Sequence, residues 1–234
     1  VKKIKLKRRY YMPPKEIVIS KEQINFNKLM DMQEPIFKKY ENLEILCNPA
    51  LLSDETNLRS FTARLDQYYM SLEEEIYEAI IAFEIFNDES KSPFYNTDNG
   101  NNLVEELCDV ILYASTIASI ARLKHNASNS FQIFMKTNND PFLGFNKWLT
   151  EVVKRIGKSR RIFPERKWHR PVETASDSDV NMNLHSIIHE MAEISIITAG
   201  FSYQVFNICN GRLKDPNDVI LNKSRLIYDL PLIK

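Results

Sequence analysis

The stretch SLEEEIYEAI, residues 71–80, decides the fold. Leu72, Ile76, Ala79 and Ile80 recur at three- and four-residue intervals, which is the period of one face of an α-helix and not of a strand. The same spacing continues on both sides and predicts a long helix from about Asn57 to Phe86. Beside the apolar face stand four glutamates, Glu73, Glu74, Glu75 and Glu78, without a lysine or arginine among them. A solvated face usually alternates signs, because a like pair four residues apart, here Glu74 and Glu78, costs about 0.2–0.5 kcal/mol.

Moving outward, NDESKSPFYNTDNGNN reads as a turn-rich connection, after which Asn101 or Asn102 can cap a helix from about Leu103 to Leu123. Leu103, Leu107, Val110, Ile111, Ala114, Ile117 and Ala118 form its apolar stripe. Phe26, Leu29, Met30, Ile36, Phe37 and Tyr40 predict a first helix over about 25–43, kinked at Pro35. Two more helices are expected at about 142–156 and 182–207. Residues 1–20 are a basic extension in which Ile4 and Leu6 alternate with lysines as in a short edge strand, stopped by Pro13-Pro14. With 5 glycines in 234 residues, too few for a turn-rich β protein, the expectation is an all-α helical bundle forming a single domain over 21–234.

The chain is 44% hydrophobic and carries no apolar run of membrane-spanning length, so a soluble, cytoplasmic protein is expected, without membrane partners. Cys47, Cys108 and Cys209 are odd in number and scattered, which fits reduced thiols and neither a disulfide framework nor a zinc site. The net charge of zero conceals a division. Residues 65–121 hold twelve acids and one base, Lys91, a net of −11 that the rest of the chain balances with +11. Much of the balance lies in KRIGKSRRIFPERKWHR, residues 154–170, and in the opening VKKIKLKRR.

The acids are spaced to converge. Glu75 and Glu78 lie three apart, as do Glu106 and Asp109, so each pair shares one helix face. If the two helices pack antiparallel, four carboxylates meet at one point. Four buried anions without partners would take up protons or be expelled, and divalent cations resolve that conflict. Magnesium, a hard ion that accepts carboxylate oxygens, water and phosphate, fits best. Against this stands a plainer account of Glu105 and Glu106 as first-turn acids that favour the helix dipole.

Glu74-Glu75-x-x-Glu78, followed 28 positions later by Glu106-x-x-Asp109, resembles the EExxE…ExxD signature of the all-α nucleoside triphosphate pyrophosphatase superfamily, which includes MazG-type enzymes, dCTP pyrophosphatases and dimeric dUTPases. KLMDMQ, residues 28–33, resembles the first-helix segment whose glutamine contacts the base in the dUTPase/dCTPase branch, phage-encoded members included. VFNICNGRLKDP, residues 205–216, resembles the late segment that supplies an asparagine and basic residues to the nucleotide. In place of the Trp- and Lys-containing stretch that dimeric dUTPases tend to carry after the first acidic motif, this chain has FEIF at 83–86.

The resemblance implies a four-helix catalytic core, a homodimer in the cytoplasm (the host's, for a phage protein) and hydrolysis of a deoxypyrimidine triphosphate, dUTP or dCTP, to the monophosphate and pyrophosphate. It implies that Glu75, Glu78, Glu106 and Asp109 hold two or three Mg²⁺ ions, with Mn²⁺ as a substitute. Glu78, with Glu75 second, would orient the attacking water as general base, and Glu74 would support them. Gln33 would contact the base, and Asn207 with Arg212 or Lys214 the nucleotide.

In the basic segment Arg160, Arg161, Arg166, Lys167 and Arg170 would grip the phosphates. The same residues read equally as an exposed loop, or as a nucleic-acid patch with Trp168 as a stacking residue. His185, His189 and Glu193 share a helical face without an HExxH motif and read as a polar surface rather than a zinc site. Two rivals to the enzyme stand beside it: an inactive nucleotide-binding or interaction module of the same fold, and a nucleic-acid-binding protein using the basic segments.

Overall fold

The computed structural model describes residues 26–40, 55–89, 97–124, 144–160 and 177–229. All regular structure among them is helical: α1 Phe26–Tyr40, α2 Glu55–Glu89, α3 Thr97–Lys124, α4 Phe145–Arg160, α5 Asp177–Ile208 and α6 Pro216–Asp229. The N-terminal extension, residues 1–20, lies outside the described residues, as do Arg161, Arg166, Lys167, Trp168 and Arg170.

α3 is the axis of the bundle. It packs most extensively on α5 and α2, and also on α1 and α6, while α4 lies against α5. The apolar stripe expected on α3 is accordingly only part of what is covered, because from Leu103 to Ala121 the helix is buried nearly all round. Within that span Glu105, Glu106, Asp109 and Tyr113 alone are partly open. They follow one another at one-, three- and four-residue steps, so the central helix has a single polar window. Small residues such as Ala114, Ser115, Ala118 and Ser119 line the rest and let neighbours come close. Ser119 Oγ donates to the carbonyl of Met30 on α1 at 3.1 Å, and Ser115 Oγ to the carbonyl of Leu112 at 2.7 Å.

α2 and α3 run antiparallel. Phe86 lies against Gly100, Glu78 beside Glu106, and Ser71 hydrogen-bonds Tyr113, so numbering falls on one helix as it rises on the other. At one end of the bundle an aromatic seam joins α2, α4 and α5. Phe83 stacks on Phe145 with centroids 3.9 Å apart, Trp148 packs on Phe201, and the buried Trp148 Nε1 donates to Thr198 Oγ1 at 3.0 Å. Burying the ring while satisfying its N–H lets tryptophan contribute its full area.

Two features correct the sequence reading. α3 begins at Thr97, not near Leu103, so the Asn- and Gly-rich TDNGNN is helical. Tertiary contact overrides its turn propensity: Asn101 Oδ1 accepts the backbone N–H of Lys214 at 2.8 Å, and the Leu213 side chain fills the space beside Gly100. The second is α6, which the sequence reading did not anticipate. α5 ends in a Schellman turn, with Gly211 N–H bonded to Phe206 O at 3.1 Å and Asn210 N–H to Asn207 O at 2.9 Å, both turn residues at positive φ. Asp215 then caps α6 through Asn217 N–H at 2.8 Å, with Pro216 as its first residue. No helix among the described residues is long and apolar enough to cross a membrane.

Candidate metal centre

Glu75, Glu78 and Glu106 each bring one carboxylate oxygen to a common point, and the three oxygens lie within 4.8 Å of one another. The antiparallel register of α2 and α3 produces this: residues three apart on α2 meet the first acid of the pair on α3. The plainer account of Glu105 and Glu106 as first-turn acids fails, because α3 starts at Thr97 and places both in its third turn, with Asp98 as the first-turn acid.

Burial acts first on these groups, and their mutual repulsion adds to it. Desolvation, then Asp109, Glu78 and Glu106, push the Glu75 carboxyl from 4.5 up to about 7, against a lowering by Lys223. Glu106 is also raised, by burial and then by Asp109, and a hydrogen bond between the Glu106 and Glu78 carboxyls adds to the rise because it needs a proton on one of them. Asp109 is raised chiefly by burial, although Lys223 lowers it. Tyr113, one turn beyond Asp109, is raised by burial, then Glu75 and Asp109; Ser71 pulls it back. It closes the window as a packed, hydrogen-bonded side chain. Cys108 between the acids is fully buried, its Sγ donating to Pro216 O at 3.6 Å, and burial holds its thiol well above the ordinary range.

The side chain missed by sequence reasoning is Lys223, on α6. Its ammonium is ion-paired with Asp109 and donates to the carbonyl of Glu105 at 3.2 Å. On an amphipathic helix a lysine reads as surface, and nothing local marks this one. The findable signal was the helix itself: Gly211 as a stop and Asp215-Pro216 as a start.

The remaining candidates divide. Lys214 reaches the rim of the window, its Nζ bonded to Glu105 Oε1 at 2.5 Å, while Arg212 is exposed on the turn before it and Asn207 lies in the last turn of α5. Gln33 is buried on α1, accepting Thr116 Oγ1 through Oε1 at 3.4 Å, with Nε2 unpartnered. A hydroxyl both donates and accepts, so either orientation of the amide leaves one of its ends without a partner. Glu74 is exposed on α2 beside the triad. Arg160 is not brought to it: it pairs with Glu73 and lies 5.0 Å over the Tyr69 ring. Glu73 projects about 200° around α2 from Glu75. On α5, His185 and His189 are exposed and Glu193 pairs with Arg155 at 3.1 Å, while the buried Glu190 sits between Arg155 and Lys158. That face is an ion-paired seam to α4.

No family model, no curated protein and no solved structure matches the chain.

Proposed function

We propose that the protein is a Mg²⁺-dependent nucleoside triphosphate pyrophosphohydrolase acting on a pyrimidine deoxynucleotide, dUTP or dCTP. The observation that carries this reading is the convergence of Glu75, Glu78 and Glu106 on one point, with Asp109 one turn further on α3. The donor set fits magnesium. All donors are hard oxygens, and ligands at about 2.1 Å in an octahedron stand about 3 Å apart when adjacent and about 4 Å when opposite. Oxygens already within 4.8 Å of one another reach that arrangement by small side-chain rotations. The raised Glu75 and Glu106 carboxyls belong to a set short of positive charge, which a divalent cation would supply.

Bound there, magnesium would neutralise charge building on the phosphates and lower the pKa of a coordinated water. The chain's own groups would do the rest. Glu78, the exposed member of the triad, would orient the water and take its proton, while Lys214 at the rim would meet phosphate oxygens. Thr116 follows Asp109 by two helical turns on the same face, so the Gln33 amide stands about 10 Å along α3, within the span of a nucleoside triphosphate. Whichever end of the amide is left free meets a complementary group, since uracil and cytosine each offer both a carbonyl and an N–H. For the cytoplasmic homodimer that belongs to this reading, Met70, Tyr77, Ile81 and Ile85 on α2 offer an exposed apolar face.

The test is pyrophosphate release from a panel of ribo- and deoxynucleoside triphosphates with Mg²⁺. Turnover of dUTP or dCTP is expected, and Glu106→Gln should lower kcat/KM by at least about two orders of magnitude. Binding without release from any nucleotide would leave the inactive-module reading standing instead. If Glu78→Gln changes turnover by less than about threefold, Glu78 does not take the proton.

A further inference from the structure

Resting on that reading of the carboxylates, we propose that Lys223 is the resident counter-ion of Asp109 and that a divalent cation gains Asp109 only by displacing it. The centre then fills in two stages: the open triad first, Asp109 second. The four carboxylates are not equivalent in the structure. Glu75, Glu78 and Glu106 face one another with no ion pair to a basic side chain among the described contacts, whereas Asp109 is closed by an ammonium. That ammonium is held twice, by the Asp109 carboxylate and by the Glu105 carbonyl, and the lysine side chain is only 26% exposed. It arrives on a separate helix, α6, whose position is fixed by the Asp215 cap and by the bonds of Lys214 to Asn101 and Glu105.

An ammonium and a divalent ion compete for the same oxygens, and the occupant that leaves needs another anion. A triphosphate provides one. Substrate therefore lowers the metal concentration at which the second stage occurs, and Lys223 then passes from a carboxylate to a phosphate oxygen; without substrate that stage takes saturating metal. The acids facing Lys223 are Asp109 and Glu105 on α3 and, at longer range, Glu75 on α2 and Glu106 on α3.

The test is a Mn²⁺ titration of the full chain followed by the electron paramagnetic resonance of free ion, in wild type and Lys223→Met, without nucleotide. The variant is expected to take up about one ion more per chain at low Mn²⁺ and to bind about tenfold tighter, the effect of removing one unit charge a few ångströms from the ion. Equal number and affinity in the two proteins would overturn the proposal and leave the triad intact as a metal site. No binding by either would overturn the metal reading and the proposal with it. A measurement on wild type alone covers a variant that fails to fold: trace acetylation should label Lys223 several-fold faster with saturating Mn²⁺, with Lys214 as internal reference. Unchanged labelling at saturation would count against displacement.

Discussion

Glu75 gives the metal-free protein a pH dependence of definite sign. Its carboxyl titrates near 4.5 in the unfolded chain and near 7 in the fold, so between those values the native state binds the extra proton. Stability from this group is therefore full below about 4.5 and is lost as pH rises through about 7. The loss amounts to about 1–2 kcal/mol once solvent screening of a partly exposed group is allowed for. Thermal melts of the metal-free chain should show a midpoint that falls between about pH 5 and pH 8, by several degrees. Glu75→Gln should flatten that slope, and so should Mg²⁺ if it binds the carboxylates. A midpoint that rises with pH over this range would contradict the placement of Glu75.

At the scale of elements, the turn joining α5 to α6 carries the greatest consequence. Gly211 sits at φ 67°, where a side chain is strained, and packs against the Phe206 ring. Gly211→Ala should cost about 1 kcal/mol by denaturant unfolding. Because the same turn sets α6 and hence Lys223, the variant should also bind Mn²⁺ more tightly. α2 and α3 were legible in the sequence because their apolar residues, such as Leu72, Ile76, Leu103 and Leu107, repeat at helical period and are buried where that period places them. The convergence of Glu75, Glu78 and Glu106 was legible for the same reason, since three-residue spacing on antiparallel helices leaves little choice. The start of α3 was not, because Thr97–Asn102 is helical through contacts with Leu213 and Lys214, more than a hundred residues away in the chain. Lys223 was hidden likewise: its meaning depends on which acid α6 happens to face.

Taken as a whole, the molecule hangs on α3, which touches α1, α2, α5 and α6 and, between Leu103 and Ala121, is open only along Glu105, Glu106, Asp109 and Tyr113. Helices at the periphery can loosen singly, but α3 cannot open without dismantling the interfaces on four sides. In amide hydrogen exchange, the N–H groups of Leu107 to Ala121 should therefore be among the slowest and should exchange only through global unfolding. Those of α6 should exchange through a smaller, local opening. Slow exchange in α6 with fast exchange in α3 would contradict this order. With that order of opening, the burial of α3 would divide the centre by lifetime as well as by charge: Glu106 and Asp109 would keep their places for as long as the chain stays folded, whereas the lysine that closes Asp109 would leave and return with each local opening of α6.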